Sequence, residues 1–391
     1  DSMIDHLFIK NYKAVDRQNI PLDKNTLFIG TNNSGKTTIL QALNLFFNHV
    51  LEKDLIREKD KDVVVEVHID DERYRKVWSP PDYELNFNKC IGNLYAINHI
   101  KYLYVPKQIN DSKFINDIMT INLARDFSSE ELANAVKVFD YVDGIVGNTN
   151  YPIFKIETKY QMSICQDAPL NKENYTTMIS NINHQYTIVA IDNYEENFNV
   201  DEIHKMTQYS YQTLFTTKSQ EMMDQFDYFV QPLFKEDIAD IETVKHMVSK
   251  NQKTYLLVEG KYDVAWFEQG LKLLDLYDQY RVIPCGGSGN IEYIEKQLNK
   301  ENIKTMIITD GDFEGNHSLK REVIELYADL DYINKRFGVN FKEIPTSKIT
   351  FFKRISIKDD IVKKILSSWA RKRLEKDSAF VLELKTILQK G

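Results

Sequence analysis

The stretch FIGTNNSGKTTILQAL, Phe28 to Leu43, decides how the first half of this chain is read. Gly30, Gly35, Lys36 and Thr37 meet the pattern G-x-x-x-x-G-K-[ST] of a phosphate-binding loop. Glycines at this spacing let backbone N–H groups curl around phosphate oxygens. Lys36 then reaches the β- and γ-phosphates, and the Thr37 hydroxyl ligates Mg²⁺. Asn33 and Thr38 complete the candidate loop contacts. The flanks agree with this reading. An apolar run from Thr26 to Ile29 has the form of a buried strand. Ile39, Leu40, Ala42, Leu43, Phe46, Phe47 and Val50 then recur at helical spacing. They predict a helix whose N-terminus faces the phosphates, and the expected ligand is ATP with Mg²⁺.

Outward from the loop, LFIKNYKAV and NIPLDKNTLFIG predict two strands feeding it. DVVVEVHI (Asp62 to Ile69) and Tyr102 to Val105 read as strands, as does the alternating run from Ile153 to Ile164. Phe127 to Val146 reads as a helix, with Ser128 or Ser129 as its N-cap. In TIVAIDNYEENF (Thr187 to Phe198) four apolar residues lead to Asp192, which predicts a buried strand delivering a carboxylate toward Mg²⁺. TLFTTKS (Thr213 to Ser219) reads as a strand of the same sheet. Residues Gln220 to Gln252 read as mostly helical, with a domain boundary near Ser249 to Lys253.

Composition bounds the class. The 391 residues suffice for two domains, and 42% hydrophobic with 28% charged residues is ordinary for a globular protein. No apolar run approaches the roughly 18 to 20 residues that span a bilayer. The start of the chain lacks a secretory layout. Cys90, Cys165 and Cys285 are odd in number and in no metal-ligand spacing. The expectation is a cytoplasmic protein with no membrane partner and no structural zinc. A net charge of −8 excludes a uniformly basic surface, while a local basic stripe stays compatible with nucleic acid. The 22 Tyr and 21 Phe form no stacking motif and read as core.

From Thr254 the pattern is β-α-β-α-β. TYLLVEG is a strand ending in Glu259, and KYDVAWFEQGLKLL is a helix with Asp263 in its first turn. YRVIPCGGSGN is a strand and glycine-rich loop, and NIEYIEKQL is a helix. KTMIITDGD is a strand ending in Asp310 and Asp312. Ligands of an open parallel sheet bind beyond the carboxyl ends of its strands, where Glu259, Asp310 and Asp312 all fall. Asp310 and Asp312 project to one face of an extended backbone, and Asp263 curls back across the strand-to-helix turn. Clustered carboxylates repel, so they imply bound cations or raised pKa values. Hard oxygen donors around an open site suit Mg²⁺ or Mn²⁺.

Val258-Glu259-Gly260-Lys261-Tyr262-Asp263 and Asp310-Gly311-Asp312 resemble a Toprim domain, the metal-binding module of topoisomerases, primases and certain nucleases. The N-terminal half is similar to the ABC-type ATPase head of RecF and SMC relatives. That order of modules resembles the OLD (overcoming lysogenization defect) family nucleases, which include Gabija-type and some retron-associated antiphage effectors. The resemblance implies an α/β chain throughout, with an ABC/SMC-like P-loop ATPase head over residues 3–250. A Rossmann-like Toprim domain follows over 252–366, with C-terminal helices over 367–391. It also implies a two-metal nuclease. Glu259 would ligate metal or act as general base, and Asp263, Asp310 and Asp312 would ligate metal. In ITFFKRISIKDD, Lys353 and Arg354 would stabilise the transition-state phosphate, and Asp359 or Asp360 would ligate the second metal.

Two departures from the family pattern bear on ATP turnover. Asn193 stands where a second acid would activate water, and an amide cannot accept a proton as a carboxylate does. Lys218 follows the paired threonines where the family places a histidine, and no LSGGQ-like segment precedes Asp192. Glu195 and Glu196 are the remaining acids nearby. The expectation is ATP binding in a regulatory role. The leading reading is a nucleotide-regulated, Mg²⁺-dependent DNA endonuclease of antiphage defence, assembled as a homodimer or larger. A defence-system partner protein or a retron RNA complex is a further expected partner. The alternatives are an RNase cutting tRNA or other RNA, and an ATP-bound sensor or scaffold whose partner acts. A topoisomerase or primase would need domains for which the chain is too short.

Overall fold

The computed structural model describes residues 3–49, 51–107, 187–194, 198–217, 229–248, 253–311 and 317–391, and the backbone alone of 153–158 and 161–164. The chain separates into two compact units, Asp1–Gln231 and Pro232–Gly391. The helix expected over 127–146, together with Glu195, Glu196, Lys218 and Asp312, lies outside the described residues. Among the described residues, no helix is long and apolar enough to cross a membrane.

The first unit is built on two sheets. Strands β1 (Ile4–Tyr12), β2 (Val15–Pro21), β4 (Val63–Ile69), β5 (Glu72–Ser79) and β6 (Glu84–Leu85) form an antiparallel sheet in the order β2-β1-β4-β5-β6. The second sheet has the order β12-β3-β11-β10-β7. Its strands are β3 (Asn25–Ile29), β7 (Lys101–Val105), β10 (Thr187–Ile191), β11 (Gln212–Thr216) and β12 (Phe229–Pro232). The pairs β3–β11, β11–β10 and β10–β7 are parallel. Strands β8 (Ile153–Thr158) and β9 (Gln161–Ile164) form a separate hairpin.

Two strands were expected ahead of the phosphate loop, and three are present. Asn11 and Lys13 take left-handed φ values of 61° and 44°, so the chain reverses and Val15 pairs back with Tyr12. Helix α1 (Lys36–Asn48) touches β7 and β11 of one sheet and β1 and β4 of the other, with Ile39, Leu40, Ala42 and Leu43 fully buried. Gln212 joins the sheets further. Its amide nitrogen donates to Ile4 O at 2.7 Å, and its oxygen accepts from Ile4 N at 3.0 Å. Helix α2 (Val200–Tyr209) lies between β10 and β11 in the chain. Within Gln220–Gln252, read from sequence as mostly helical, the described residues include β12 and the short helix α3 (Ile241–Met247). The four residues of β12 are all buried, so sheet pairing overrides the polar composition of that segment.

The second unit carries a parallel sheet in the order β14-β13-β15, with β13 (Thr254–Val258), β14 (Tyr280–Pro284) and β15 (Thr305–Ile307). Helix α4 (Val264–Leu273) connects β13 to β14, and α5 (Ser288–Asn299) connects β14 to β15. Helices α6 (Leu330–Phe337), α7 (Lys348–Ile355), α8 (Asp359–Arg373) and α9 (Ala379–Lys390) follow. Both α8 and α9 pack on α4, where fully buried Trp266 meets the rings of Trp369 and Phe380, each 5.5 Å away.

Candidate functional site

Each unit presents candidate side chains at the carboxyl ends of its parallel strands. In the first unit β3 runs into the loop Gly30–Gly35, and α1 begins at Lys36. Gly35 sits at φ 104°, a backbone state closed to most side chains, and a Cβ there would meet Val15 at 3.3 Å. Asn33 is also left-handed, at φ 65°. Lys36 Nζ donates to Gly30 O at 2.9 Å, which holds the side chain back over its own loop.

Asp192 follows β10 and is buried, and its carboxylate is gripped from both sides. Thr37 Oγ1 donates to Oδ2 at 2.8 Å, and Thr216 Oγ1 donates to Oδ1 at 2.5 Å. Thr216 ends β11, the strand between β10 and β3, so its register alone brings the hydroxyl to Asp192. No sequence motif singles out Thr216. Its signal was the Thr-Thr pair closing the apolar run TLF. Asn193 is buried at φ 45°, and its backbone N–H donates to Thr216 Oγ1 at 2.7 Å. Thr38 is buried at the start of α1.

In the second unit Glu259 follows β13 directly. Its carbonyl accepts from Gly286 N at 2.7 Å and Gly287 N at 2.9 Å, so the glycine-rich loop after β14 seats on it. Asp263 is the residue before α4, and its Oδ2 accepts from Gly260 N at 3.0 Å. Asp310 lies just past β15. Gly311 beside it has no room for a side chain, because a Cβ would sit 2.4 Å from Arg321 O and 2.5 Å from Leu319 O. Gly311 N donates to the same Arg321 carbonyl at 3.0 Å.

Two further groups join these acids. Glu325 is buried in the turn Ile324–Tyr327, and its Oε2 accepts no hydrogen bond among the described residues. Burial raises its carboxyl far above the usual range, and the charges of Asp263 and Glu259 add to the rise while Lys363 opposes it. Asp263 is raised for the same reasons, first burial and then Glu259, against the Gly260 N–H and Lys363. Lys363 lies one turn into α8. Burial works against its ammonium, but Glu325, Asp263, Asp310 and Asp360 together hold it above the ordinary lysine value.

The remaining candidates sit differently. Lys353 and Arg354 are exposed in the last turn of α7, and the Arg354 guanidinium lies 4.3 Å from the Phe341 ring centroid. The basic side chain brought to the acids is therefore Lys363, which a charged helix start had concealed. Asp359 and Asp360 are exposed in the first turn of α8, with Asp360 facing Lys363 and Tyr262. Among the described residues, no trio of His, Cys, Asp or Glu is drawn tightly enough to hold an ion as it stands. Uncompensated carboxylates spread apart, and the donors gathered here are the hard oxygens that suit a divalent cation. The set can hold cations, take a proton from water, and present an ammonium to a phosphate.

A family model described as AAA ATPase domain matches residues 3–257, well over half of the chain. The chain belongs to the AAA ATPase domain family. A second model, the Overcoming lysogenization defect protein-like TOPRIM domain, matches residues 252–312, from β13 through Asp310. This AAA ATPase-domain protein thus joins a P-loop ATPase domain to an OLD-like TOPRIM domain, the pairing of OLD-like nucleases. A comparison with curated proteins returns no match. Among solved structures, the recombination mediator protein RecF with bound nucleotide aligns over 60% of this chain and 96% of its own, at 7% identity and TM-score 0.39. The C-terminal region of the Xanthomonas campestris pv. campestris OLD protein aligns over 36% of this chain and 96% of its own, at 15% identity and TM-score 0.25. Both scores lie below the level at which a shared fold can be argued.

Proposed function

We propose that this protein is a nucleotide-regulated, Mg²⁺-dependent endonuclease that hydrolyses DNA phosphodiester bonds with its TOPRIM carboxylates. The observation that carries the reading is the meeting of Glu259, Asp263 and buried Glu325 with Lys363 at the carboxyl end of a parallel sheet. Buried like charges are costly unless a cation compensates them. Divalent ions at this point would stabilise the attacking and leaving oxygens of a phosphodiester. Glu259, Asp263, Asp310, Asp312 and Glu325 are the residues assigned to hold them, with Asp359 reaching a second ion. Glu259 is placed to take the proton from water, and Lys363 to meet the charge that develops on the phosphate. Lys353 and Arg354, exposed in the last turn of α7, are assigned to the phosphates that flank the scissile bond.

ATP with Mg²⁺ is assigned to Gly30, Asn33, Gly35, Lys36, Thr37, Thr38 and Asp192. Asn193 offers an amide where a base would be needed, so the nucleotide is held rather than turned over, and its presence regulates cutting. The resemblance to Gabija-type and retron-associated effectors supports a role in antiphage defence, as a homodimer or larger assembly with a defence partner or retron RNA complex.

The test is cleavage of plasmid and phage DNA with Mg²⁺ or Mn²⁺, with and without ATP, by wild type and Glu259→Ala. Cutting by the wild type alone is expected, and the ATP arm reads whether nucleotide restrains or licenses it. Cleavage of RNA in place of DNA would keep the chemistry and change the polymer. No cleavage of either polymer would overturn the reading.

A further inference from the structure

The antiparallel sheet of the first unit has one face packed inward, where Leu7, Ile9, Val65 and Val67 are fully buried. Strand alternation sends Phe8, Lys10, Val64 and Val77 to the opposite face. There the register sets Arg17 directly beside Lys10 across β2 and β1, and Lys10 beside Val64 on β4. Like charges placed directly opposite one another destabilise a sheet, and here the Asp62 carboxylate offsets Lys10 in part.

A recess of about 420 Å³ opens on this face, lined by Phe8, Lys10, Arg17, Asp62, Val64, Arg75, Val77 and Lys89. Four cations thus face one carboxylate, and Asp62 is already paired with Lys89 at 2.7 Å. The floor is a buried cluster of Phe8, Val64 and Val77. Arg17 and Arg75 each lie 5.3 Å from the Phe8 ring centroid, so one ring fixes two guanidiniums. Arg75 is fixed again by buried Glu66, which accepts from its Nε at 2.8 Å. Glu66 is also matched by Arg73 at 2.9 Å, so it does not cancel the basic recess above it.

We infer that this recess binds the phosphodiester backbone of a nucleic acid, a site separate from the phosphate loop and from the TOPRIM acids. Arg17 on β2 and Arg75 on β5 belong to strands three places apart in the sheet, yet their guanidiniums converge on the one Phe8 ring. With Lys10 and Lys89 lining the same recess, they gather four cations at one place, which suits the closely spaced charges of a nucleic-acid backbone. Guanidiniums pre-set on an aromatic ring are the donors that phosphate recognition favours. The concentration of cations occurs in a chain whose net charge is −8, so it is a local feature and not a general property of the surface. The choice of partner rests on the nucleic-acid reading proposed above.

The experiment measures binding of labelled duplex DNA and of RNA of equal length to the full chain in EDTA, between 50 and 200 mM salt. The wild type is compared with Lys10→Ala/Arg17→Ala and with the charge-conserving Lys10→Arg/Arg17→Lys. The alanine pair is expected to weaken binding at least about tenfold and to lower the salt slope by roughly 2. The charge-conserving pair is expected to retain the wild-type slope. An unchanged affinity and slope in the alanine pair, or equal losses in both pairs, would overturn the inference. So would a wild type that binds polyglutamate but neither nucleic acid. Binding through Lys10 and Arg17 by a chain that never cuts would sink the nuclease reading and leave this one standing. Cutting with an affinity indifferent to both residues would do the reverse.

Discussion

Lys363 and Lys353 stand ten positions apart in sequence and in different surroundings. Lys363 stands among Glu325, Asp263, Asp310 and Asp360, whereas Lys353 is exposed on the last turn of α7. Lys363→Met is expected to slow cleavage about 10²- to 10³-fold, the scale for losing one transition-state donor. Lys353→Ala is expected to act within a few-fold, and rates measured beside thermal unfolding curves separate the two roles. Glu66 makes a second prediction at this scale. Burial alone would raise its carboxyl, but hydrogen bonds from His68 and Arg73 and the charge of Arg75 outweigh burial and hold it far below the usual range. A depressed folded value contributes stability that is present above the unfolded value near pH 4.5, and is lost as pH falls through the folded one. Glu66→Gln is expected to destabilise by about 1–3 kcal/mol at pH 7, because it removes the charge-assisted bonds of a buried carboxylate to arginines that stay partly open to water. Between pH 5 and pH 2 its stability should fall less steeply than that of the wild type. Denaturant midpoints across that range decide the point.

At the scale of elements, the site depends on where strands end and helices begin. Gly311 lets the chain after β15 pass against the 319–321 backbone, and this sets Asp310 beside Lys363. Gly311→Ala would force that passage open, with an expected loss of about 1–3 kcal/mol, typical of overpacking. Cleavage should fall further than stability does, because the displaced residue is the neighbour of Asp310. Helix α4 carries Asp263 at its start and is held by Trp266 against Trp369 of α8 and Phe380 of α9. Trp266→Ala is expected to remove about 3–5 kcal/mol. If α8 and α9 did not hold the site together, this variant would keep full cleavage at temperatures where it stays folded.

For the whole molecule, the phosphate loop belongs to one compact unit and the TOPRIM acids to the other. Ligand held in the first unit should stabilise it by mass action, by about 2.7 kcal/mol at a hundred times Kd. Lys36→Ala is expected to abolish that ATP-dependent gain, which calorimetry with Mg²⁺-ATP would read. Much of this design was legible in the chain by itself. The glycine spacing, the apolar run before it and the helical period after it determined the P-loop, because phosphate geometry demands those residues locally. Val-Glu-Gly-x-x-Asp likewise marked the end of β13, whereas β15 stops at Ile307 and Asp310 stands past it, and the domain order was readable from the succession of motifs. What only the tertiary structure decided came from distant segments. Thr216 meets Asp192 through strand register, Glu325 and Lys363 meet Asp263 through helix packing, and Arg17, Lys10 and Arg75 share a recess because a sheet aligns them. Local pattern records what one segment needs to fold, whereas charge and burial at a site are sums over segments that meet only in space.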